Sequence, residues 1–452
     1  LFAPALVKKF LRFAVPSVIS MWIFSLYTMV DGLFVAKGVG ELALASVNIA
    51  APCTSALFSL GMLFAAGAST VTAILLGQGK QEEACCVFTQ NILTVTVVSV
   101  AAAILTLLNL DRVVAFLGAT PSTWEYVRQY VAIIACFSPF FTVSYNLEVL
   151  VKTGGAPHIS TIGVTSCALT NVGLDALFVL GFGWGVWGAA LATGIAQVIS
   201  TLIFLIYFVG GKRRLAFRPF RWNGSALRRI LPIGLADAVT ELSAGAVTFL
   251  FNHAILRHIG EGGLVSYTVI AYLNTLVLMT MTGIAQGMQP LVSYHFGKGE
   301  QQTCHRLFAL ALTTSGALAL LSFFLCQVGG TQVFTLFLGA DSALLADSVQ
   351  ALRIFSLSFL LLGFNVVSAA FFAALERPRF SFPLSTGRGL VVIAGCLMVL
   401  PVIWGQNGVW LAPAVSEGLC LLLAVVFLLV YFREACAEKE KSFSSLSQDL
   451  SI

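Results

Sequence analysis

Long apolar stretches, broken by short polar or glycine-rich connections, recur along the whole chain. Windows between the breaks give twelve segments, at about 10–36, 46–76, 88–110, 127–151, 158–181, 185–209, 228–257, 262–293, 305–328, 348–374, 380–403 and 408–432. As helices they are long enough to cross a hydrocarbon core ~30 Å thick. The period-two alternation of a lipid-facing barrel is absent. Backbone groups in lipid must satisfy one another, so the pattern predicts an all-α polytopic membrane protein with twelve transmembrane helices. Pro16, Pro139, Pro232 and Pro290 fall within segments and mark bends or ends. Composition rules out a soluble domain: only 10% of the 452 residues are charged, against about 25% in soluble proteins. Lys8, Lys9 and Arg12 before the first apolar run resemble a signal peptide. That run is too long and carries Asp31, so it reads as a first transmembrane helix.

The charges are not evenly shared between the two ends of the segments. Of 25 Lys and Arg, 19 fall on one side, including the first turn, the stretch from Lys212 to Arg229, and the end of the chain. The other side has Lys37, Arg112, Arg128, Arg257 and Arg353, and Arg388 lies inside a segment. The asymmetry places both termini in the cytoplasm. It also accounts for the formal charge of +5 without nucleic acid.

Landmarks repeat at a near-constant offset. Gly77–Gly79 returns as Gly297–Gly299, Phe116–Leu117–Gly118 as Phe337–Leu338–Gly339, and Gly185–Val186–Trp187 as Gly408–Val409–Trp410, while Pro16 and Pro232 both lie in the early part of the first span of their half. The order and spacing predict a duplicated plan. Six spans per half return the chain to one side, so the halves are parallel repeats about an axis along the membrane normal. The boundaries are 1–210 for the first lobe, 211–227 for a basic linker, 228–432 for the second lobe and 433–452 for a partly disordered tail. Two such lobes enclose a cleft suited to transport by rocking.

A charge near the bilayer centre costs roughly 2.5–3.5 kcal/mol on insertion scales and marks a candidate site. Asn171 and Asp175 are four apart, on one helical face. If the first, fifth and sixth segments pack together, Asp31, Asn171, Asp175 and Thr193 converge. Two carboxylates, an amide and a hydroxyl suit Na⁺, and two close carboxylates in a dry pocket can hold a proton instead. Asn171 or Thr193 taken singly is an ordinary helix-packing group. Glu241 is a second candidate, as a proton or cation site, a contact for cationic substrate, or a structural partner. Arg388 and Glu417, of opposite sign in neighbouring segments, read as a structural ion pair. Glu148 and Lys152 read as a pair at the membrane interface. Trp22, Tyr27, Tyr267, Tyr272, Met279, Met281 and Met288 are either cleft lining or packing. Ten cysteines show neither metal spacing nor a disulfide framework. HEXXH, GXSXG, Walker and CXXC motifs are absent, which argues against an enzyme and against a cofactor.

"MVDGLFVA", "GQGK", "LTNVGLDALF", "GVWGAALAT", "GKGE" and "GQNGVWLA" follow in order. With them the chain resembles the multidrug and toxic compound extrusion (MATE) transporters over nearly its full length, most of all the bacterial DinF-like and MepA-like branches. The resemblance implies an N-lobe cation site at Asp31, Asn171, Asp175 and Thr193, and a bent first helix at Pro16. A C-lobe site, emphasised in another branch, corresponds to Glu241 and Asn365, the latter neutral where an aspartate is expected. It further implies a monomeric antiporter of the bacterial inner membrane that exports small organic, often cationic, compounds against Na⁺ or H⁺. Two other readings stay open: a lipid-linked oligosaccharide flippase of the wider superfamily, which would favour a strongly basic cavity, and a non-transporting scaffold or receptor.

Overall fold

The computed structural model describes residues 3–210, 213–339 and 342–449. Lys212 of the expected linker and residues 450–452 of the expected tail lie outside the described residues. The first half comprises α1 (Pro4–Gly38), α2 (Glu41–Gly77), α3 (Gln81–Leu108), a short α4 (Leu110–Phe116), α5 (Trp124–Thr153), α6 (Pro157–Asp175) and α7 (Gly185–Val209). The second comprises α8 (Gly224–His258), α9 (Glu261–Gly297), α10 (Gln301–Leu338), α11 (Leu345–Phe355), α12 (Phe359–Ala374), α13 (Pro378–Thr386) and α14 (Val392–Asp449). Described residues contain no strand.

Eleven helices among the described residues are long and apolar enough to cross a membrane. The last of them, Pro378–Ala435, breaks at Gly405, whose φ of 54° leaves the helical region. A Cβ on Gly408 would run into the Leu400 carbonyl eight residues back. A straight helix would separate those residues by about 12 Å, so the chain doubles back and makes two passes, giving the twelve crossings that the apolar pattern predicts. Beyond Arg433 the sequence predicted a partly disordered tail, whereas α14 continues to Asp449. The reason is local: the run EACAEKEK consists largely of good helix formers.

The halves share backbone detail. Gly79 and Gly299 both have φ +77°, Gly40 and Gly260 have +115° and +101°, and Gly118 and Gly339 have +82° and +85°. These left-handed turns follow the same spans in each half, where a side chain would be strained. Each half also contains a π-helical stretch, Ala176–Gly181 after Asp175 and Gly387–Val391 around Arg388. Such bulges are frequent at functional sites.

Packing joins the halves at the end of the bundle where Lys8, Lys9, Arg213–Arg229 and Lys298 lie, here termed the basic face. Phe10, Phe13 and Ala14 of α1 belong to the hydrophobic core of the second half. Ala226 and Ile230 of α8 belong to that of the first, together with the linker residue Leu215. The backbones cross at glycine. A Cβ on Gly67 would strike the Ile230 carbonyl and one on Gly234 the Leu63 carbonyl, while those on Gly283 and Gly287 would lie 2.6 Å from Val18 Cα and Ala14 Cα. Subtracting 220 from Gly287 and Gly234 returns Gly67 and Ala14, so the seam is itself duplicated. Trp22 Nε1 donates to Thr280 Oγ1 at 2.9 Å further along. Beyond that point a cavity of about 490 Å³ lies between α1 and α9, lined by Ser25, Thr28, Met29, Tyr272, Thr275 and Met279 among others. Tyr272 and Met279 are therefore cavity lining, whereas Met281 and Met288 are core.

Candidate functional site

Helix α1 packs on α6 near its proline. Proline cannot donate a backbone hydrogen bond, and here its own carbonyl is an anchor: Ser20 Oγ donates to Pro16 O at 2.9 Å and Thr161 Oγ1 of α6 at 3.0 Å. Pro16 lies inside a continuous α1. Four turns later Asp31 meets Asp175, and the two carboxyl groups are within hydrogen-bonding reach. Asn171 and Asp175 are fully buried on one face of α6. Asn171 Nδ2 donates to Thr193 Oγ1 of α7 at 3.2 Å, and Thr193 Oγ1 donates to its own Ala189 carbonyl at 3.0 Å. The structure thus brings together all four residues expected there, with one refinement. Thr193 occupies the amide nitrogen and thereby leaves the Asn171 oxygen free.

Asp31 Oδ1, Asn171 Oδ1 and both Asp175 oxygens are buried without a donor, half of all such side-chain atoms among the described residues. Buried polar groups are ordinarily satisfied, so four orphaned acceptors in one pocket call for a cation or a proton. Their donor set of carboxylates and an amide is hard oxygen, which suits an alkali or alkaline-earth ion rather than a transition metal. No group of three or more His, Cys, Asp or Glu able to hold a metal occurs among the described residues. Tyr130 of α5 lies in the field of both carboxylates, and Tyr27 in that of Asp31. Sequence reading missed Tyr130, because a tyrosine near the end of an apolar run looks like a membrane-interface anchor.

The second-half candidates do not form one site. Glu241 faces α2, where Ser55 Oγ donates to it at 3.1 Å. Asn365 faces the other way: its Nδ2 donates to Glu417 Oε2 at 2.6 Å and to the Glu417 carbonyl at 2.8 Å. Arg388 completes that group, 3.4 Å from Glu417. The separation follows from where the side chains point, since Glu241 is turned toward α2 and Asn365 toward α14, on which both α8 and α12 pack. Asn365 therefore belongs with the Arg388–Glu417 pair and not with Glu241. Asn365→Ala is expected to lower stability by about 1–3 kcal/mol, because a buried carboxylate loses its donor; thermal unfolding of the purified protein reads this.

Asp237, one turn before Glu241, is the carboxylate that sequence reading overlooked. Its i,i+4 spacing to Glu241 was the available signal. Both lie in the neighbourhood of Tyr145, whose ring sits edge-on to Phe58 at 5.2 Å. Nor is the Glu148–Lys152 pair interfacial. The 2.8 Å pair is buried, with Lys152 only 1% exposed. Ser160 Oγ donates to Glu148, and Lys152 Nζ donates to Gln286 Oε1 of α9, both at 2.8 Å. The second half covers the pair where the segment pattern suggested open water.

Comparison with known proteins places this architecture. The MatE family profile matches residues 16–177 and 238–398, one match in each half and together more than half of the chain. Multidrug export protein MepA of Staphylococcus aureus (strain bovine RF122 / ET3-1) is 25% identical over 428 residues, covering 94% of this chain and 93% of that protein. MepA of Staphylococcus saprophyticus is 24% identical over the same coverage. A MATE crystallised in complex with MaL6 superposes with a TM-score of 0.89 at 22% identity, covering 96% of this chain and 97% of the other. A multidrug resistance MATE transporter in an outward-facing conformation gives 0.87 at 22% identity, covering 95% and 96%; at this identity both report the fold. The matched repeats and the shared twelve-span architecture lead to one conclusion: the chain belongs to the MatE family of MATE transporters.

Proposed function

We propose that the protein exports small organic, mainly cationic compounds across a bacterial cytoplasmic membrane, driven by inward movement of Na⁺ or H⁺ through the first-lobe pocket. The observation that carries this reading is the set of orphaned oxygens on Asp31, Asn171 and Asp175. A cation or proton bound there ties α1 to α6, and its release frees α1 to move. Because α1 also belongs to the second half's core, occupancy of the pocket is coupled mechanically to the seam between lobes. The basic face is assigned to the cytoplasm by its Lys and Arg content. The lobes then meet on the cytoplasmic side, with the cavity between α1 and α9 on the outer side. Asp237 and Glu241 of α8, which face Ser55 and Tyr145 of the first half, favour cationic cargo over the anionic headgroup of a lipid-linked oligosaccharide. Monomeric action, with membrane lipid as the surrounding partner, fits a seam complete within one chain.

The test is reconstitution of the full chain into liposomes, with Na⁺ and H⁺ gradients imposed separately and a cationic dye as cargo. Dye movement that follows one gradient and collapses with it is the expected result. Movement indifferent to both gradients overturns ion coupling.

A further inference from the structure

Among the polar contacts that cross the duplicated seam, one runs through a histidine and has no repeat mate. At the basic face, Lys9 Nζ of α1 approaches His295 Nε2 of α9 at 3.0 Å. On the other side of the same ring, His295 Nδ1 lies 2.6 Å from Glu300 Oε2. Subtracting 220 from His295 gives Leu75, and Lys9 corresponds to Arg229, which pairs within its own half with Glu376 at 2.8 Å. Glu241 and Lys152 also reach across, to Ser55 and Gln286, but this corner joins the lobes through an imidazole, whose charge changes on mild acidification.

The two contacts fix the ring's state. An ammonium has donors only, so Lys9 requires a lone pair on Nε2, and the proton must then sit on Nδ1 and point to Glu300. The ring is neutral in this arrangement. Adding a proton makes Nε2 a donor facing an ammonium and turns an inter-lobe hydrogen bond into a repulsion. Glu300 does not compensate. It follows α9 in the second half, so a stronger bond to it holds nothing across the seam. Of the surrounding charges, Lys9 and Lys298 repel a proton on His295 and Glu300 attracts one, while Lys9 also feels Lys298 and Arg214. Lys9 and Lys298 both lie over the Tyr294 ring, at 5.5 and 5.3 Å. Three cations thus already share one acid before the imidazole gains a charge. Glu300, outside the spans, is held below the ordinary glutamate range, chiefly by its hydrogen bond with His295. It stays ionised through mildly acidic pH and leaves the imidazole as the group that changes charge on acidification.

We propose that His295 is a pH-sensitive latch between the lobes, accepting from Lys9 when neutral and loosening the basic-face seam when protonated. Acidification on that side then favours the state with the seam open, which exposes the buried Lys152–Glu148 pair and the cleft behind it. The inference rests on the reading that the lobes rock, and it adds a control on when they do so.

Hydrogen–deuterium exchange of the full chain in nanodiscs tests it, because both faces see one buffer and no transport is required. Rates are corrected for the intrinsic effect of pH. Between pH 8 and pH 5, exchange in peptides covering 3–18 and 290–300 is expected to rise roughly fivefold, the size of one lost net hydrogen bond. In His295→Gln the rise is expected to vanish, and in His295→Arg exchange is expected to be fast at both pH values. Lys9→Gln, at the exposed end of α1, removes the ammonium and is expected to flatten the response. A wild-type pH response retained in His295→Gln or Lys9→Gln overturns the latch. Failure of dye transport in liposomes, by contrast, bears only on the export reading.

Discussion

Asp175→Asn is expected to abolish ion-driven efflux and, in the same preparation, to raise thermal stability. The two effects have one cause. Asp175 and Asp31 face each other in a buried pocket with four acceptor oxygens that lack a donor. Two like charges in such a place repel when the pocket is empty, so neutralising one relieves the folded state. A bound ion loses the same charge. At about 4 Å and an effective dielectric near 20, one unit charge is worth ~4 kcal/mol, or about a thousandfold in ion affinity. Asp31→Asn is expected to behave alike. Thr193→Val is expected to cost far less, about fivefold, because it frees the Asn171 amide to turn without removing a charge. Gradient-driven dye transport in liposomes and thermal unfolding of the same protein give the two readouts. Normal coupled efflux in the aspartate variants would sink the assignment. Lost efflux with lowered stability would make the pair a structural element.

The first-lobe pocket was legible because its chemistry is written at helical spacing in an apolar background. Asn171 and Asp175 are four apart, and a carboxylate in a membrane span has few reasons to be there. The repeat was legible for a similar reason, since turns that need positive φ require glycine at fixed places, and Gly77–Gly79 and Gly297–Gly299 return together. What stayed hidden depends on packing between segments far apart in the chain. Nothing around Lys152 announces that Gln286, 134 residues later, will cover it. A segment pattern puts a lysine near a span end into water by default. Asn365 was paired with the wrong carboxylate, because sequence order does not say whether α12 faces α8 or α14. His295 gave no signal at all, for its meaning arises only when Lys9 arrives from the other lobe.

Gly67→Leu is expected to prevent the lobes from closing on the basic face, with transport lost and insertion preserved. At this crossing there is no side chain to move aside. A Cβ on Gly67 runs into the Ile230 carbonyl, and one on Gly234 into the Leu63 carbonyl. Overpacking a well-packed contact typically costs 1–3 kcal/mol, and with backbone as the obstacle about 3 kcal/mol or more is expected, enough to shift a two-state population over a hundredfold. The clash falls between lobes, where no secondary structure is broken, so it is relieved by separating them. Gly287→Leu should do the same, since its Cβ would lie 2.6 Å from Ala14 Cα at the repeat-related crossing. Gly245→Leu is the control, because nothing lies within 4 Å of that position. Hydrogen–deuterium exchange in 3–18 and 224–238 is expected to be fast in the first two variants at any pH and unchanged in the third. That pattern separates steric opening from the proton-dependent opening at His295, which switches with pH. If Gly67→Leu keeps the wild-type protection, the glycine crossings are not what holds the lobes together, and the seam must be assigned to its polar contacts alone.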